Sequence, residues 1–299
     1  MSEARIKMLL VGTVSNVSKT LQLELKRFER ELSKIGTIGY FLVESDSTDS
    51  TPVILKTLDS KYTNFEFRSL GQLRTQIPDR VERIRYCRNI YVEYIRKNLN
   101  IECWDFIVVA DLDGMNPQLT TSRFANSISR MKNWDALFAN QKHGYYDVFA
   151  LRSWDWVESD LLKSLREEEA ISSNRSGELG LVTYLRNQKR RQDILYSTMR
   201  RIPQDSQIIQ VESAFGGLGI YKPELFVKCD YSLRVGELPD GSEHVTFHKK
   251  CADSGYLLGI NPKMINANFN EYNINKHYLI RFLRDLKRFI RRRKAGSHQ

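Results

Sequence analysis

The strongest constraint on this chain is its first 113 residues, where four short apolar runs alternate with stretches long enough to return the chain. The runs are Ile6–Val11 (IKMLLV), Ile38–Val43 (IGYFLV), Phe65–Arg68 and Asp105–Ala110 (DFIVVA). Each is too short for a buried helix; three are rich in branched side chains, and Phe65–Arg68 alternates aromatic and charged residues as a strand does. Between the first two, Ser15 or Ser18 can cap a helix whose apolar stripe is Leu21, Leu25, Phe28 and Leu32, with Gly36 expected to end it. Pro52 suits the first turn of a second helix, and a long amphipathic helix is expected from Asp79 to Asn98. Strands alternating with helices predict an α/β fold, with a largely parallel sheet covered on both faces.

Beyond Asp113 the alternation stops. Strands are expected at Ala136–Ala139, Tyr146–Leu151 and Gln207–Tyr221, and the charged stretch 157–203 reads as an insertion beside the site. The chain shows no internal repeat and no low-complexity tract. With 41% hydrophobic and 27% charged residues it is not a disordered chain. No apolar run reaches the roughly 18 residues of a membrane span. The apolar run after Met1 is too short for a signal peptide, and four scattered cysteines without a CxxC pair suit neither zinc nor a disulfide framework. The expected setting is cytoplasmic, with reduced thiols.

The net charge of +10 is unevenly placed. Nine of the basic residues and a single acid lie between Lys276 and Gln299, so residues 1–275 carry only +2. A nearly neutral body argues against a nucleic-acid partner. In the tail, Leu279, Phe282, Leu283, Leu286, Phe289 and Ile290 recur at helical spacing, opposite the arginines. Such a helix suits an anionic membrane surface, which would make the protein peripheral at the inner face of a membrane. A terminal helix docked on its own domain is the plainer alternative.

Several polar clusters have the residue types that ligand chemistry needs. Asp111 and Asp113, at i and i+2 after a buried strand, can point to one side and share a hard divalent cation with the phosphates of a ligand. They fall at a strand's carboxyl end, where open α/β sheets bind ligands. The loop Glu44-Ser45-Asp46-Ser47-Thr48-Asp49-Ser50-Thr51 follows the second strand and offers short groups for a nucleoside's base and ribose. Arg83, Arg85, Arg88 and Asn89 on the long helix can offset a diphosphate.

These pieces together resemble a GT-A nucleotide-sugar glycosyltransferase of the family-2-like kind: the ESDSTDST loop, then Cys87-Arg88-Asn89, then Asp111-Leu112-Asp113. Tyr145 to Arg152 (YYDVFALR) and Glu212 to Tyr221 (ESAFGGLGIY) resemble a narrower group, the fungal capsule-associated mannosyltransferases and bacterial enzymes of surface-polysaccharide synthesis. The likeness covers about residues 5–270.

The resemblance implies a Rossmann-like mixed sheet with helices on both faces over residues 1–270; the amphipathic tail 271–299 lies outside it. It implies a metal-dependent transfer of a sugar from a nucleoside-diphosphate sugar to a glycan or lipid-linked acceptor, with Mn²⁺ or Mg²⁺ as cofactor. Asp113 would bind the metal directly, and Asp111 would contact the ribose or reach the metal through water. Glu44 and Asp46 would lie near base and ribose, with Arg85, Arg88 and Asn89 toward the donor. In the late segment Gly241–His248 the family's Glu-Asp is replaced by Glu243-His244. Glu243 is the leading base candidate, Glu212 and Asp147 are the alternatives, and His248 is expected to complete the metal site. Inversion is the favoured outcome, retention the alternative. Trp154 and Trp156 are candidate stacking platforms for an acceptor sugar. The rival readings are a nucleotidyltransferase of related fold, which lacks its glycine-rich loop here, and a non-catalytic polyanion- or glycan-binding protein.

Overall fold

A computed structural model describes residues 5–268 except 103, 162, 164, 166–180 and 236–240. The basic tail and part of the expected insertion lie outside the described residues.

The first half alternates as the apolar runs require: β1 (Ile6–Val14), α1 (Leu21–Leu32), β2 (Gly36–Glu44), α2 (Thr51–Lys61), β3 (Phe65–Ser69), α3 (Arg80–Glu102) and β4 (Phe106–Ala110). Then follow α4 (Thr121–Arg130), β5 (Ala136–Gln141), α5 (Leu181–Thr198), β6 (Ile209–Gln210), β7 (Leu218–Tyr221), α6 (Glu224–Lys228), α7 (Glu243–Asp253) and β8 (Leu258–Ala267). All eight strands form one sheet in the order β3-β2-β1-β4-β7-β5-β8-β6. β3, β2, β1 and β4 run parallel, β7 is antiparallel to β4 and to β5, and β8 is parallel to β5.

Alternate residues of β1 enter two cores. Leu9 and Val11 pack with Tyr91, Val92 and Ile95 of α3, while Met8 and Leu10 pack with Leu21, Leu25 and Phe28 of α1. The period-2 pleat sends successive side chains to opposite faces, so each face must be roofed. The stripe predicted for α1 is buried throughout. At α3, Oδ1 of Asp79 accepts the Glu82 N–H at 2.9 Å, an N-terminal cap one residue before the helix.

Three local expectations change. Gly36 does not end α1; it opens β2, where a Cβ would stand 2.1 Å from the Ile6 carbonyl oxygen. Close strand approach, not helix termination, requires the glycine. Tyr146–Leu151 is not a strand. Its neighbourhood is held by single bonds, the Tyr145 N–H to the Arg200 carbonyl (2.9 Å) and the Tyr146 N–H to Oε1 of Gln141 (3.3 Å). Val148, Ala150 and Leu151 are buried by packing instead of by pairing. Gln207–Tyr221 is interrupted, because Gly216 and Gly217 take φ of 68° and 81°, which breaks an extended run.

Candidate active site

The strand order reverses between β1 and β4, since β2 and β3 extend the sheet one way and β7, β5 and β8 the other. A cleft of about 400 Å³ opens there, at the carboxyl ends of β1, β2 and β4.

Its floor is the turn after β4. The Asp111 N–H donates to the Gly217 carbonyl (3.0 Å), and Oγ1 of Thr20 donates to the Leu112 carbonyl (2.9 Å). Leu112 is buried, while Asp111 and Asp113 line the cleft. Across from them Tyr146 and Asp147 form a wall, with Oδ2 of Asp147 accepting the Gly216 N–H at 3.0 Å. This side is dense in negative charge. Burial, then the neighbouring Asp113, pushes the Asp111 carboxyl up to about 7. Burial pushes Asp147 up to about 6, against the lowering effect of the Gly216 N–H.

The opposite wall is cationic. Arg74, Arg80 and Arg83 come from the segment leading into α3 and from its first turn. Arg83 is held by the Ile77 and Pro78 carbonyls (2.7 Å each) and lies 3.4 Å from Asp46. Arg74 and Arg80 are exposed, and their guanidinium groups have no hydrogen-bond or ion-pair partner among the described residues.

Arg88 sits deeper and is 4% exposed. Nε donates to Glu243 at 2.8 Å and Nη1 to Tyr91 Oη at 3.1 Å, while Nη2 stands 4.0 Å from Asp111. Its guanidinium lies over the rings of Phe215 and Tyr231. Burial opposes its charge, but Tyr91, Glu243, Tyr231 and Asp111 hold it protonated. Glu243 and His244 open α7 and line the cleft beside it. The His244 ring stacks on Phe215 with centroids 3.8 Å apart. Neither of its buried ring nitrogens has a hydrogen-bond partner among the described residues, and burial followed by Arg88 holds it neutral.

The cleft therefore brings together Ser45, Asp46, Arg83, Arg88, Asp111, Asp113, Asp147 and Glu243. The other nominated residues lie elsewhere. Glu44 is buried beneath its own loop, accepting the Ser47 N–H (3.1 Å) and the Ser69 hydroxyl. Arg85 turns to Glu82, and Asn89 ties α3 to Tyr231 and Ser232. Glu212 is exposed outside the cleft. His248 is not placed to complete a metal site. It is fully buried, Nδ1 bonds Ser213 Oγ and Nε2 bonds Tyr221 Oη, both at 3.0 Å, so both nitrogens are taken. Helical geometry explains the contrast with His244. Position 244 falls in the first turn of α7 at the cleft, and position 248 lies one turn deeper, against the sheet.

The sequence reading missed Arg74, Arg80 and Tyr146 as cleft residues. Tyr146 lies in a motif whose pattern predicts a strand, Arg74 sits in a polar loop with no periodicity, and Arg80 is one of several arginines opening the expected helix. Trp154 is 80% exposed, whereas Trp156 packs on Tyr145 and donates to the Thr198 carbonyl.

Fold and cleft define a mixed-sheet α/β protein with a carboxylate floor at the point where its strand order reverses. No family model and no curated protein matches the chain. Among solved structures, it is similar to the mannosyltransferase PcManGT from Pyrobaculum calidifontis in complex with GDP-Man and Mn²⁺, at 13% identity and a TM-score of 0.48, covering 88% of this chain and 57% of that one. It is also similar to S. aureus TarS 1-349 in complex with UDP-GlcNAc (11%, TM-score 0.47, 91% and 62%). A third match is glucosyl-3-phosphoglycerate synthase from Mycobacterium tuberculosis with Mn²⁺, UDP and phosphoglyceric acid (14%, TM-score 0.40, 88% and 68%). The chain spans less than two thirds of the first two.

Proposed function

We propose that this protein is a metal-dependent glycosyltransferase that moves a sugar from a nucleoside-diphosphate sugar to a glycan or lipid-linked acceptor. One observation carries the reading: a single cleft at the reversal of strand order combines a two-aspartate floor with a wall of arginines. A diphosphate bridged to a divalent cation complements both at once.

The residues fit a cation. Asp111 is held high by burial and by Asp113, a condition that a divalent ion relieves, and its nearest cation, Arg88, sits closer to Glu243. Among the described residues no third His, Cys, Asp or Glu completes a cage. That suits Mg²⁺ or Mn²⁺, which take remaining ligands from phosphate and water. Asp111 and Asp113 would hold the ion, and when bound it would neutralise charge on the departing diphosphate.

The chain's own groups then divide the work. Arg74 and Arg80, whose guanidinium groups have no partner among the described residues, would meet the donor's phosphates. Asp46, fixed by the Arg74 N–H (2.9 Å) and by Arg83, shapes the nucleoside end. For an inverting transfer the base is better assigned to Asp147 than to Glu243. Glu243 is locked to buried Arg88, whereas Asp147, at about 6, is tuned near the range a general base needs. Asp147 would take the proton of the acceptor hydroxyl as that oxygen attacks the anomeric carbon. The basic tail would bring the site to an anionic membrane carrying the acceptor.

The test is nucleoside diphosphate release from a panel of sugar nucleotides with Mn²⁺, beside Asp113→Ala. Release from one donor, reduced about 10²–10³-fold in the variant, is expected. No release and no donor-dependent thermal stabilisation from any sugar nucleotide would defeat the proposal.

A further inference from the structure

Beneath the cleft lie three fully buried amides, Asn116, Gln141 and Asn266, each at 0% exposure. They come from the turn after β4, the end of β5 and the end of β8. Asn116 Nδ2 donates to the Asp111 carbonyl at 2.7 Å and to Glu24 Oε2 at 2.9 Å. Asn266 Nδ2 donates to Asn116 Oδ1 (3.2 Å) and to the Gly216 carbonyl (2.8 Å). Gln141 Nε2 donates to the same Gly216 carbonyl (3.0 Å) and to Asn266 Oδ1 (2.9 Å), while its Oε1 accepts the Tyr146 N–H.

Each amide NH₂ has two hydrogens, and each makes two bonds. All three side-chain oxygens accept as well. The network is closed, which fixes the orientation of every amide. Leaving any of these buried groups unpaired is costly. Four of these bonds therefore reach three backbone groups of the cleft: the Asp111 carbonyl, the Gly216 carbonyl (twice) and the Tyr146 N–H. Gly216 in turn donates its N–H to Asp147, and the Gly217 carbonyl receives the Asp111 N–H. A Cβ on Gly216 would meet Nε2 of Gln141 at 2.9 Å and the Ala139 carbonyl at 2.8 Å, so the turn is seated against the relay.

We propose that Asn116, Gln141 and Asn266 are positioning residues that set the spacing between the metal-binding aspartates and the Tyr146–Asp147 wall, with the Gly216–Gly217 turn as the shared anchor. This rests on the proposed function of the cleft. The relay touches neither donor nor metal and acts through backbone groups it holds. Such supporting bonds change metal affinity or activity by about 10–100-fold when removed.

Asn261 supplies the control. It is another buried asparagine of β8, bonded to Asn126 and Ser127 at a distance from the cleft. Asn266→Ala and Asn261→Ala should both lower thermal stability. Only Asn266→Ala should weaken Mn²⁺ binding, read by titration of the free-ion electron paramagnetic resonance signal with Mn²⁺ alone and with UDP or GDP. The expected loss is ten- to a hundredfold, with Asn261→Ala within twofold of wild type. Gln141→Met, which keeps the volume and removes both donors, repeats the test if Asn266→Ala does not fold. Equal Mn²⁺ affinity in Gln141→Met, Asn261→Ala and wild type would overturn the relay and leave the proposed function standing. Wild-type protein that binds no Mn²⁺ under any of these conditions would sink the proposed function, and the relay with it.

Discussion

The two walls of the cleft carry opposite charge, but they are wired differently. On the arginine side the inner cations are already committed, Arg88 to Glu243 and Tyr91, and Arg83 to Asp46 and two carbonyls. Only the outermost pair, Arg74 and Arg80, is left open. On the aspartate side, burial and then neighbouring Asp113 push Asp111 up to about 7, and burial pushes Asp147 up to about 6 against the lowering effect of the Gly216 N–H. One wall is satisfied within the structure; the other keeps its carboxylates buried beside one another. A site that must bind and release a charged ligand benefits from that asymmetry, because the scaffold does not unfold when the ligand leaves.

The sharpest way to break this comparison is at Arg88. Arg88→Met should cost about 3–5 kcal/mol in denaturant unfolding, since it strands Glu243 in a buried position. Arg88→Met with Glu243→Gln should recover much of that loss. If the double variant is as unstable as the single one, Arg88 stabilises through its ring contacts and not through the pair.

At the outer arginines the expectation reverses. Arg74→Ala and Arg80→Ala should leave stability within about 0.5 kcal/mol, yet each should weaken donor affinity roughly tenfold or more, the size of a lost charged hydrogen bond. Isothermal titration with the active donor would show it. Unchanged affinity would mean that the diphosphate lies elsewhere.

The smallest effect is in pH. Asp111 and Asp147 have folded values above the ordinary 3.8, so the fold binds their protons more tightly than the unfolded chain does. Their contribution is full below about pH 4 and is lost as pH rises through 6 to 7. His248 is lowered from 6.5 to about 3, so its contribution is full above pH 6.5 and is lost as pH falls. Asp111→Asn should therefore gain on wild type in thermal midpoint as pH rises from 5 to 8. Parallel curves for the two proteins would show that Asp111 is not held protonated.

Much of the first half was legible in the sequence. β1, β2, β3 and β4 appear at the four apolar runs, and the α1 stripe is buried as its spacing requires. Asp111 and Asp113 could be placed at a strand end because strand and motif are contiguous. Residues whose role depends on distant partners were not legible. Glu243 and Arg88 are 155 positions apart, and nothing at either end announces the bond. Glu44 and Asp46 look equivalent in a polar loop, but Asp46 takes a left-handed backbone (φ 57°) and lines the cleft, while Glu44 turns under it.

By itself the sequence determined the alternation, the two-faced sheet and the carboxylate pair at the end of β4. Each follows from local periodicity, which a chain must satisfy to bury its apolar side chains. Tertiary structure alone decided which of two histidines one turn apart meets the cleft, which acid is tied to an arginine, and how three amides from three elements close on one glycine turn. Those choices depend on strand order and on long-range hydrogen bonds, and neither has a period that a linear reading can detect.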